Sequence, residues 1–351
     1  MNILSLFDGI SCARLAMNHA NLPVSQYFSS EIDENAIKVA HHNFPDTQQL
    51  GDVTQITKSS LPPIDLLIGG SPCQSFSLSG KRRGFDDPRG QLFFQYHRLL
   101  KELKPRYFIL ENVIMKKAYQ DVITSYLKVD PIIIDSALLT AQRRLRQYWT
   151  NIPVPGYPLH TRQTVNDILD PNHNEKGIAY QILDSTPPVT FSNTISKYTA
   201  PNLADMTIFI PFSHLRNDSG LIRLGGVRRP SHKNWCKNNK VYSQGTYVYS
   251  PEGKSSTLQA SGGGLGRQTG LYLIDGIIRR LSRLECERLQ GVPDNYTSCL
   301  TTNQAKKSLG NGFTVPVISF IMSFMDGAEA QDYVNVHQKI YAKKMTSFTL
   351  F

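Results

Sequence analysis

The sequence contains little cysteine, and none of it lies in a pattern that would bind a metal or build a disulfide framework. Only five of the 351 residues are cysteines, namely Cys12, Cys73, Cys236, Cys286 and Cys299. They form no CxxC pair and no zinc-ligand spacing, so we expect no metal site. An odd and sparse count favours a reducing compartment and argues against a secreted disulfide scaffold.

The chain also lacks a hydrophobic stretch long enough to span a membrane. Its most apolar segment, residues 313–325, is interrupted by Thr314, Pro316, Ser319 and Ser323. It falls short of the roughly 20 apolar residues that a spanning helix needs. Residues 1–8 carry no basic segment of the kind that begins a signal peptide. We therefore expect no membrane partner and a cytoplasmic location.

Acidic residues are few compared with basic ones. The chain has 28 acidic and 38 basic residues and a net charge of +10, within an ordinary globular composition of 19% charged and 40% hydrophobic residues. Residues 161–280 alone hold 14 basic and 8 acidic residues. A solvated basic face is one explanation. The other is a polyanionic partner, with nucleic acid ahead of a membrane surface.

Short apolar runs alternate with helical patterns in the first part of the chain. Near-continuous runs, typical of strands buried on both faces, lie at residues 3–7, 26–30, 64–68, 107–110 and 132–134. Helical patterns cover residues 13–19, 34–43 and 91–103, and Pro105 follows the last. This alternation predicts an α/β domain with a doubly wound, mostly parallel, Rossmann-like sheet.

The amino-acid composition changes after about residue 156, where Pro, Gly, Asn and Ser become frequent. Residues of roughly 165–280 therefore predict a second, smaller and irregular β-rich domain. Ser282 is a candidate N-cap for an amphipathic helix over residues 281–290. Residues 315–325 predict a final buried helix that returns to the sheet of the first domain.

Three positions suggest a nucleoside-binding edge at the carboxyl ends of the first strands. Gly9 permits a tight turn after the first strand, and Glu31 follows the second strand at a spacing that suits ribose hydroxyls. Asp52, after Gly51, could accept a hydrogen bond from an adenine amino group. No GxGxxG is present, which argues against a dinucleotide. Each position alone is more often a turn or a solvated acid.

A glycine-rich loop with a cysteine follows the strand predicted at residues 64–68. Gly69 and Gly70 precede Ser71, Pro72 and Cys73, and such loops are where α/β proteins carry out chemistry. A buried core cysteine is the alternative, which the polar flanks disfavour. Glu111 ends the next strand and would lie beside this loop if the two strands are neighbours. A surface acid is its alternative.

A cluster of polar residues occupies positions 142–146. Alternation with period two predicts that Gln142, Arg144 and Arg146 share one side of a strand. Phosphates or a base rich in carbonyl groups would satisfy them. A solvated sheet edge is the alternative.

Taken in order, these residues resemble the DNA cytosine-5 methyltransferases of bacteria and phages. The matching blocks are Phe7-x-Gly9, Glu31, Asp52, Pro72-Cys73-Gln74, Glu111-Asn112-Val113, Gln142-x-Arg144-x-Arg146, the stretch from Arg279 to Pro293, and Gly310-Asn311-Gly312. The resemblance covers nearly the whole chain to about residue 327. This chain departs from the usual first block at Ser5, Ser11 and Cys12, and nothing in the family matches residues 328–351.

The resemblance implies a methyltransferase fold that binds S-adenosylmethionine, and it assigns regions to the two domains. Residues 1–165 with 305–330 would form the catalytic and cofactor-binding domain, and residues 170–280 the target recognition domain. Residues 281–304 would be a connecting helix and residues 331–351 a C-terminal extension. The basic recognition domain and the loop of residues 75–90 would then form two walls of a DNA cleft.

The resemblance also implies roles for individual residues. Cys73 would attack cytosine C6 from a flipped-out base, Glu111 would interact with N3, Arg144 would hold the base carbonyl, and Arg146 would support the loop or the carboxylate. The other residues of the catalytic centre would be Pro72, Asn112 and Val113. The cofactor would contact Phe7, Asp8, Gly9, Ile10, Ser11, Cys12, Glu31, Ile32, Asp52, Val53, Ser71, Pro72, Leu92, Asn311, Gly312 and Phe313.

Double-stranded DNA is the implied partner, with a cognate restriction endonuclease acting on the same site and the enzyme itself monomeric. In the loop after Cys73, the residues that would contact DNA are Ser79, Lys81, Arg82, Arg83 and Arg89. In the recognition domain they are Arg228, Arg229, Lys233, Gln244, Tyr247, Thr257, Leu258 and Arg267. Ser79 and Gln244 would fill the gap left by the flipped base, and arginine to guanine is the commonest specific contact.

Two other classes of protein share this fold. A tRNA cytosine-5 methyltransferase would carry a Cys-Phe-Thr signature and a reduced recognition region, and this chain has neither. A regulatory homologue without catalysis would be expected to lose the Pro-Cys or Glu-Asn-Val residues, and both are intact. The residues therefore favour DNA methylation.

Overall fold

The apolar runs near the amino terminus form the parallel strands of a large sheet. The computed structural model describes residues 1–72, 92–173, 180–182, 207–218, 220–228, 244–262, 265–326 and 334–335. The chain divides into two units. The first consists of Met1–Leu139, Leu145–Thr161 and Gly312–Phe351, and the second of Thr140–Arg144 and Arg162–Asn311.

The first unit contains a sheet of seven strands with the order β3-β2-β1-β4-β5-β7-β6. In chain order these strands are β1 (Asn2–Leu6), β2 (Gln26–Ser30), β3 (Gln48–Gln49), β4 (Leu66–Gly69), β5 (Tyr107–Val113), β6 (Ile132–Asp135) and β7 (Leu145–Thr150). Strands β1 to β5 pair in parallel, and β7 runs antiparallel to both β5 and β6. The predicted fold class, a mostly parallel Rossmann-like sheet with a smaller β-rich domain, is confirmed.

The continuous apolar character of β1 follows from burial on both of its faces. Leu4 and Leu6 belong to a core cluster that also contains Phe93 and Leu99 of helix α3 (Leu92–Leu103). The alternate residue Ile3 is also fully buried and points to the opposite face of the sheet. An α/β domain needs such strands, because helices cover both sides.

The other helices of this unit are α1 (Cys12–His19), α2 (Glu34–Asn43), α4 (Lys117–Leu127) and α7 (Val315–Met322). Helix α7 is the predicted final buried helix, and it packs against α1. Pro316 lies in its first turn, where a missing N–H has no cost. Strand β8 (Tyr157–Pro158) pairs with β15 (Val334–Asn335).

The second unit contains a six-stranded sheet with the order β14-β13-β12-β11-β10-β9. Its strands are β9 (Tyr180–Ile182), β10 (Thr207–Asp218), β11 (Leu221–Arg228), β12 (Tyr247–Tyr249), β13 (Leu271–Ile274) and β14 (Ile277–Arg279). Its small core contains Leu224, Val227, Val248, Leu271 and Ile278.

The second unit also contains α5 (Arg283–Gln290) and α6 (Thr302–Asn311). Ser282 is the N-cap of α5, as predicted, and forms a reciprocal capping box with Glu285. Gly291 ends the helix in the left-handed conformation that glycine adopts without strain.

In the part of the chain that the structure describes, no helix has both the length and the hydropathy to cross a membrane.

Candidate active site and cofactor edge

The turn after β1 is built from left-handed backbone. Phe7, Gly9 and Ser11 have φ values of 55°, 61° and 58°. Two of the three are not glycine, and such conformations are concentrated at functional sites. The backbone N–H of Gly9 donates to Oε2 of Glu31 at 2.8 Å. The carboxyl ends of β1 and β2 are thereby joined, and Gly9 and Glu31 are brought together as the sequence predicted.

Glu31 organises the end of β2. Its Oε1 accepts from the backbone N–H groups of Ile32 at 2.7 Å and Asp33 at 2.9 Å. These hydrogen bonds fix the backbone at Ile32, whose side chain projects into solvent with 74% of the residue's surface exposed. An apolar side chain so exposed beside a carboxylate is suited to packing against a planar ring.

Asp52 follows β3, the next strand along this edge, by three residues. Its Oδ1 accepts from the Thr54 backbone N–H at 2.9 Å, which caps a single helical turn at Val53–Gln55. The hydroxyl of Ser30, the last residue of β2, donates to the Gly51 carbonyl at 2.7 Å. The edge of the sheet therefore presents Gly9, Glu31 and Asp52 in a row.

Asp8 faces the interior. Its carboxylate accepts hydrogen bonds from Ser11 Oγ at 2.6 Å, the Tyr27 hydroxyl at 2.6 Å and Ser29 Oγ at 3.0 Å. Burial raises the pKa of Asp8 above its usual range, although these hydrogen bonds act in the opposite direction. Its carboxylate therefore stabilises the strained turn by linking Ser11 to Tyr27 and Ser29 of β2.

The residue pair Glu111 and Arg146 lies at the carboxyl end of β5. Strands β5 and β7 pair so that Val113 is opposite Arg146. Arg146 Nε lies 3.0 Å from Glu111 Oε1, and the two side chains are only 14% and 12% exposed. The guanidinium therefore holds one oxygen of the carboxylate, and support of the carboxylate is one of the two roles that the resemblance implied for Arg146.

The backbone leading towards Cys73 lies against this pair. Oε2 of Glu111 and the ring of Phe313 both pack on Gly70. Asn112 Nδ2 donates to Ser71 Oγ at 3.1 Å and lies 3.4 Å from the Ser71 carbonyl. The strands that carry these residues, β4 and β5, are neighbours, so the expected proximity of Glu111 to the start of the cysteine loop is confirmed.

The prediction that Gln142, Arg144 and Arg146 share one strand is wrong. Strand β7 begins at Leu145, and Thr140–Arg144 belongs to the second unit while Arg146 belongs to the first. Gln142 forms an isolated parallel bridge with Ser255. The chain passes between units at this point, so one strand cannot contain all three side chains.

Gln142 and Arg144 hold the backbone of the second unit. Gln142 Oε1 accepts from the Leu258 N–H at 2.8 Å, and its Nε2 donates to the Leu289 carbonyl at 3.2 Å. The two terminal nitrogens of Arg144 donate to the carbonyls of Leu258 at 2.9 Å and Gly310 at 3.1 Å. Both side chains are buried, so a solvated edge is excluded. Binding of a base carbonyl by Arg144 stays a prediction.

Gln244 belongs to the same network in the second unit. Its Nε2 donates to the Thr257 carbonyl at 2.6 Å, and its Oε1 accepts from Gln259 Nε2 at 3.0 Å. Thr257 Oγ1 donates to the Arg143 carbonyl at 2.7 Å. The structure therefore brings together the Gln244, Thr257 and Leu258 that the sequence singled out.

A sequence profile of the family described as C-5 cytosine-specific DNA methylase matches residues 1–127 and 136–326. The chain belongs to this family. It is therefore a C-5 cytosine DNA methyltransferase, and DNA is its substrate.

Similar proteins agree with this assignment. The type II methyltransferase M.HhaI of Haemophilus parahaemolyticus is 29% identical over 341 residues, which cover 92% of this chain and 93% of the relative. The orphan methyltransferase M.Rho11sI of Bacillus phage rho11s is 31% identical over 358 residues, covering 91% and 69%. Names of this kind link the family to restriction-modification systems.

Solved structures support the fold. A putative DNA modification methyltransferase of an Escherichia coli prophage has a TM-score of 0.57 at 19% identity and covers 92% of this chain and 98% of its own. A DNMT2 variant of Spodoptera frugiperda has a TM-score of 0.58 at 16% identity and covers the same shares.

Several residues predicted for the methylase site lie outside the described part of the chain. They are Cys73, Ser79, Lys81, Arg82, Arg83, Arg89, Arg229 and Lys233. Arg228 is described only as the backbone of β11. Residues 331–351 are likewise undescribed except for β15.

The remaining predicted contacts are spread over several elements of the methylase. Ile10, Cys12 and Val53 are buried, as is Phe313, whereas Pro72, Leu92 and Val113 are half-buried. Asn311 is the exposed last residue of α6, and Gly312 follows it. Tyr247 lies under the Arg223 guanidinium, with 4.7 Å between that group and the ring centre. Arg267 is exposed and has left-handed backbone.

Reasoning from the sequence did not assign Gly70 or Gln259 to the site. The paired glycines before Ser71 were a signal of close approach, but which side chains approach Gly70 depends on residues distant in the chain. Gln259 directly follows the Thr257-Leu258 pair, and nothing in its local pattern indicates a partner at Gln244.

Proposed function

We propose that this chain transfers a methyl group from S-adenosylmethionine to C5 of a cytosine within a specific sequence of double-stranded DNA. The reaction would pass through a covalent bond between Cys73 and C6 of a flipped-out base. The observation that carries the proposal is the Glu111–Arg146 pair at the carboxyl end of β5. Oε2 of Glu111 packs on Gly70, two residues before Pro72 and three before Cys73, in a chain that belongs to the C-5 cytosine methylase family.

The residues along the sheet edge fit an adenosyl ligand. Gly9 and Gly51 have open space around them, since an added Cβ would meet no atom within 4 Å. Glu31 and Asp52 offer carboxylate oxygens for hydroxyl and amino donors, and Ile32 offers an exposed apolar surface. When bound, S-adenosylmethionine would supply an electrophilic methyl group beside the Cys73 loop.

The chemistry begins at C6, because cytosine C5 by itself is a weak nucleophile. The Cys73 thiolate forms a bond to C6, and the displaced ring electrons make C5 nucleophilic while N3 takes up a proton. Glu111 interacts with N3 and the exocyclic amine and so stabilises the protonated ring. C5 takes up the methyl group, which leaves S-adenosylhomocysteine as the product, and a base removes the C5 proton. Departure of the Cys73 thiolate and loss of the N3 proton then restore the neutral aromatic ring.

Arg146 has a positioning role in this scheme. It holds Oε1 of Glu111 at 3.0 Å, which leaves Oε2 as the oxygen that faces the cysteine loop backbone. A carboxylate held by one oxygen presents the other in a fixed direction, and this fixed geometry is what transition-state stabilisation requires.

The target base must leave the duplex, because no side chain can reach C6 within the base stack. Gln244 is our candidate to occupy the gap, together with Ser79 of the loop. Base reading would fall to basic and aromatic residues of the second unit, namely Arg228, Arg229, Lys233, Tyr247 and Arg267, and phosphate contacts to Lys81, Arg82, Arg83 and Arg89. Such an enzyme would act as a monomer on cytoplasmic, nucleoid-associated DNA and protect the site of a cognate endonuclease.

Covalent trapping tests this function. Duplex DNA containing 5-fluorocytosine at the target position, incubated with the enzyme and S-adenosylmethionine, should become attached to the protein, because fluorine cannot leave C5 as a proton. The product would be seen as a complex that survives denaturing electrophoresis. Bisulfite sequencing of plasmid DNA from an expressing host without cytosine methylation of its own would first identify the target position.

Cys73→Ser is the matched control for this trap. It should bind DNA, form no covalent complex and leave plasmid cytosines unmethylated. Methyl transfer by Cys73→Ser would refute the assignment of the nucleophile. Methyl transfer by the wild-type enzyme without any trapped complex would refute the C6 adduct.

A further inference from the structure

Gly70 lies where two parts of the catalytic centre meet. It follows β4 directly and precedes Ser71, which Asn112 holds by hydrogen bonds. We propose that Gly70 is a positioning residue for Glu111, because its lack of a side chain leaves the space that Oε2 of Glu111 needs. The ring of Phe313 forms the wall on the other side of this space. The inference rests on the proposed function, since it concerns the oxygen of Glu111 that would face the base.

The packing around Gly70 leaves no room for a side chain. A Cβ on Gly70 would lie 2.8 Å from Cε1 of Phe313 and 3.2 Å from Oε2 of Glu111. A separation of 2.8 Å is shorter than any stable carbon contact, so the ring, the carboxylate or the backbone would have to move. The backbone φ of Gly70 is not left-handed, so the requirement for glycine here comes from space.

The two oxygens of Glu111 have different surroundings. Oε1 pairs with Arg146, whereas Oε2 lies over Gly70. A methyl group at position 70 would therefore push on the oxygen that Arg146 does not hold. Phe313 is buried and occupies the other side of the same space, so the ring prevents the new methyl group from turning away from the carboxylate.

Ser71 makes this arrangement stiffer. Its hydroxyl and carbonyl both lie within hydrogen-bond reach of the Asn112 amide, and Asn112 is the neighbour of Glu111 in β5. Gly70 therefore packs on Glu111, and Ser71 is hydrogen-bonded to Asn112, the next residue of β5. The backbone entering the cysteine loop cannot retreat from Glu111 without breaking these bonds.

Gly70→Ala tests the proposal. We expect kcat for methyl transfer to fall by about 100-fold, the scale of a misplacement of roughly 1 Å in an active site. The KM values for DNA and for S-adenosylmethionine should stay close to those of the wild type. The rate of covalent trapping on 5-fluorocytosine DNA should fall in parallel, because Glu111 acts before methyl transfer.

Gly69→Ala is the control for a purely structural effect. A Cβ on Gly69 would lie 3.0 Å from the Leu6 carbonyl oxygen and 3.1 Å from the Tyr96 ring, inside the core. This variant should lower the melting temperature but leave kcat of the folded enzyme close to the wild-type value, whereas Gly70→Ala should lower kcat. A Gly69→Ala protein with the same loss of kcat as Gly70→Ala would overturn the proposal.

The decisive variant is the double substitution Gly70→Ala with Phe313→Leu. Leucine removes the ring atoms that confine the new methyl group, so Gly70→Ala should lower kcat less in the Phe313→Leu background than in the wild-type background, at saturating S-adenosylmethionine. An equal loss of kcat in the two backgrounds would refute Phe313 as the wall, and wild-type kcat in Gly70→Ala would refute the role of Gly70. Failure of the wild-type enzyme to methylate DNA would instead refute the proposed function itself.

Discussion

Asp8 is the residue on which the strained turn after β1 depends. Its buried carboxylate accepts from Ser11, Tyr27 and Ser29, which come from the turn and from β2. The folded state raises its pKa through burial. The contribution of Asp8 to stability is therefore full below its ordinary pKa of 3.8 and decreases as the pH rises through the higher folded value.

We expect Asp8→Ala to lower the free energy of unfolding by about 3 kcal/mol, because three hydroxyl donors lose their acceptor. Urea denaturation at acidic pH, close to the ordinary pKa of 3.8 where the contribution of Asp8 is near its full value, would measure the change. Asp121→Ala is the control, since Asp121 forms an exposed pair with Lys117 on α4, and such a pair contributes less than about 1 kcal/mol. Equal stability of Asp8→Ala and the wild type would contradict the role of Asp8.

At the scale of elements, helix α5 is held at its first turn by a buried ion pair as well as by its capping box. Both oxygens of Glu285 accept from Arg279, at 2.8 Å each, and the carboxylate also accepts from the backbone N–H groups of Ser282 and Asp170. Burial would raise the pKa of Glu285, but these donors outweigh it and the pKa is lowered.

The lowered pKa predicts the response of this element to acid. Ionised Glu285 contributes its full stability above its ordinary pKa of 4.5, and that stability is lost as the pH falls through the lower folded value. Glu285→Gln should lower the free energy of unfolding by about 3 kcal/mol at neutral pH, because Arg279 loses its charged partner. The difference from the wild type should shrink in acid.

Denaturant titrations at several pH values would measure this difference. Glu102→Gln is the control, since Glu102 forms a half-exposed pair with Arg98 on α3 and should change stability little. A gap between Glu285→Gln and the wild type that stays constant as the pH falls would contradict the prediction.

At the scale of the whole molecule, the two units are each assembled from separate parts of the chain. The second unit takes Thr140–Arg144 from the middle of the first, and Gln142 and Arg144 anchor the backbone at Leu258. Both side chains bind backbone groups of Leu258, and not its side chain. A different sequence could therefore replace the surrounding strands without removing these contacts.

Exchange of residues 175–280 for those of a relative should change the DNA target sequence to the one that the relative methylates. The reason is that base-reading candidates lie in this segment, whereas the Glu111–Arg146 pair does not. Bisulfite sequencing of plasmid DNA would read the outcome. Exchange of α4 alone is the control and should leave the target sequence unchanged, and a chimera with the original target would contradict the recognition assignment.

The α/β class, the edge with Gly9 and Glu31, and the start of α5 follow from the amino-acid sequence alone. Each is local or follows from a general rule. Strands buried on both faces read as continuous apolar runs, the carboxyl ends of neighbouring parallel strands share one edge, and a capping box needs only residues 282 and 285. Helices α4 and α6 were not predicted, and neither was the antiparallel β7.

Contacts between side chains that are distant in the sequence depend on how the elements pack. Alternation predicted one strand for Gln142, Arg144 and Arg146, but the chain changes units between Arg144 and Leu145, and local periodicity contains no information on such a crossing. The resemblance placed Asp8 among the cofactor contacts, and no local pattern indicates that its carboxylate accepts hydrogen bonds from Tyr27 and Ser29 in the interior. Gly70 meets Phe313 only because the last helix returns to the first unit, and contacts between distant residues depend on packing, which no local pattern encodes.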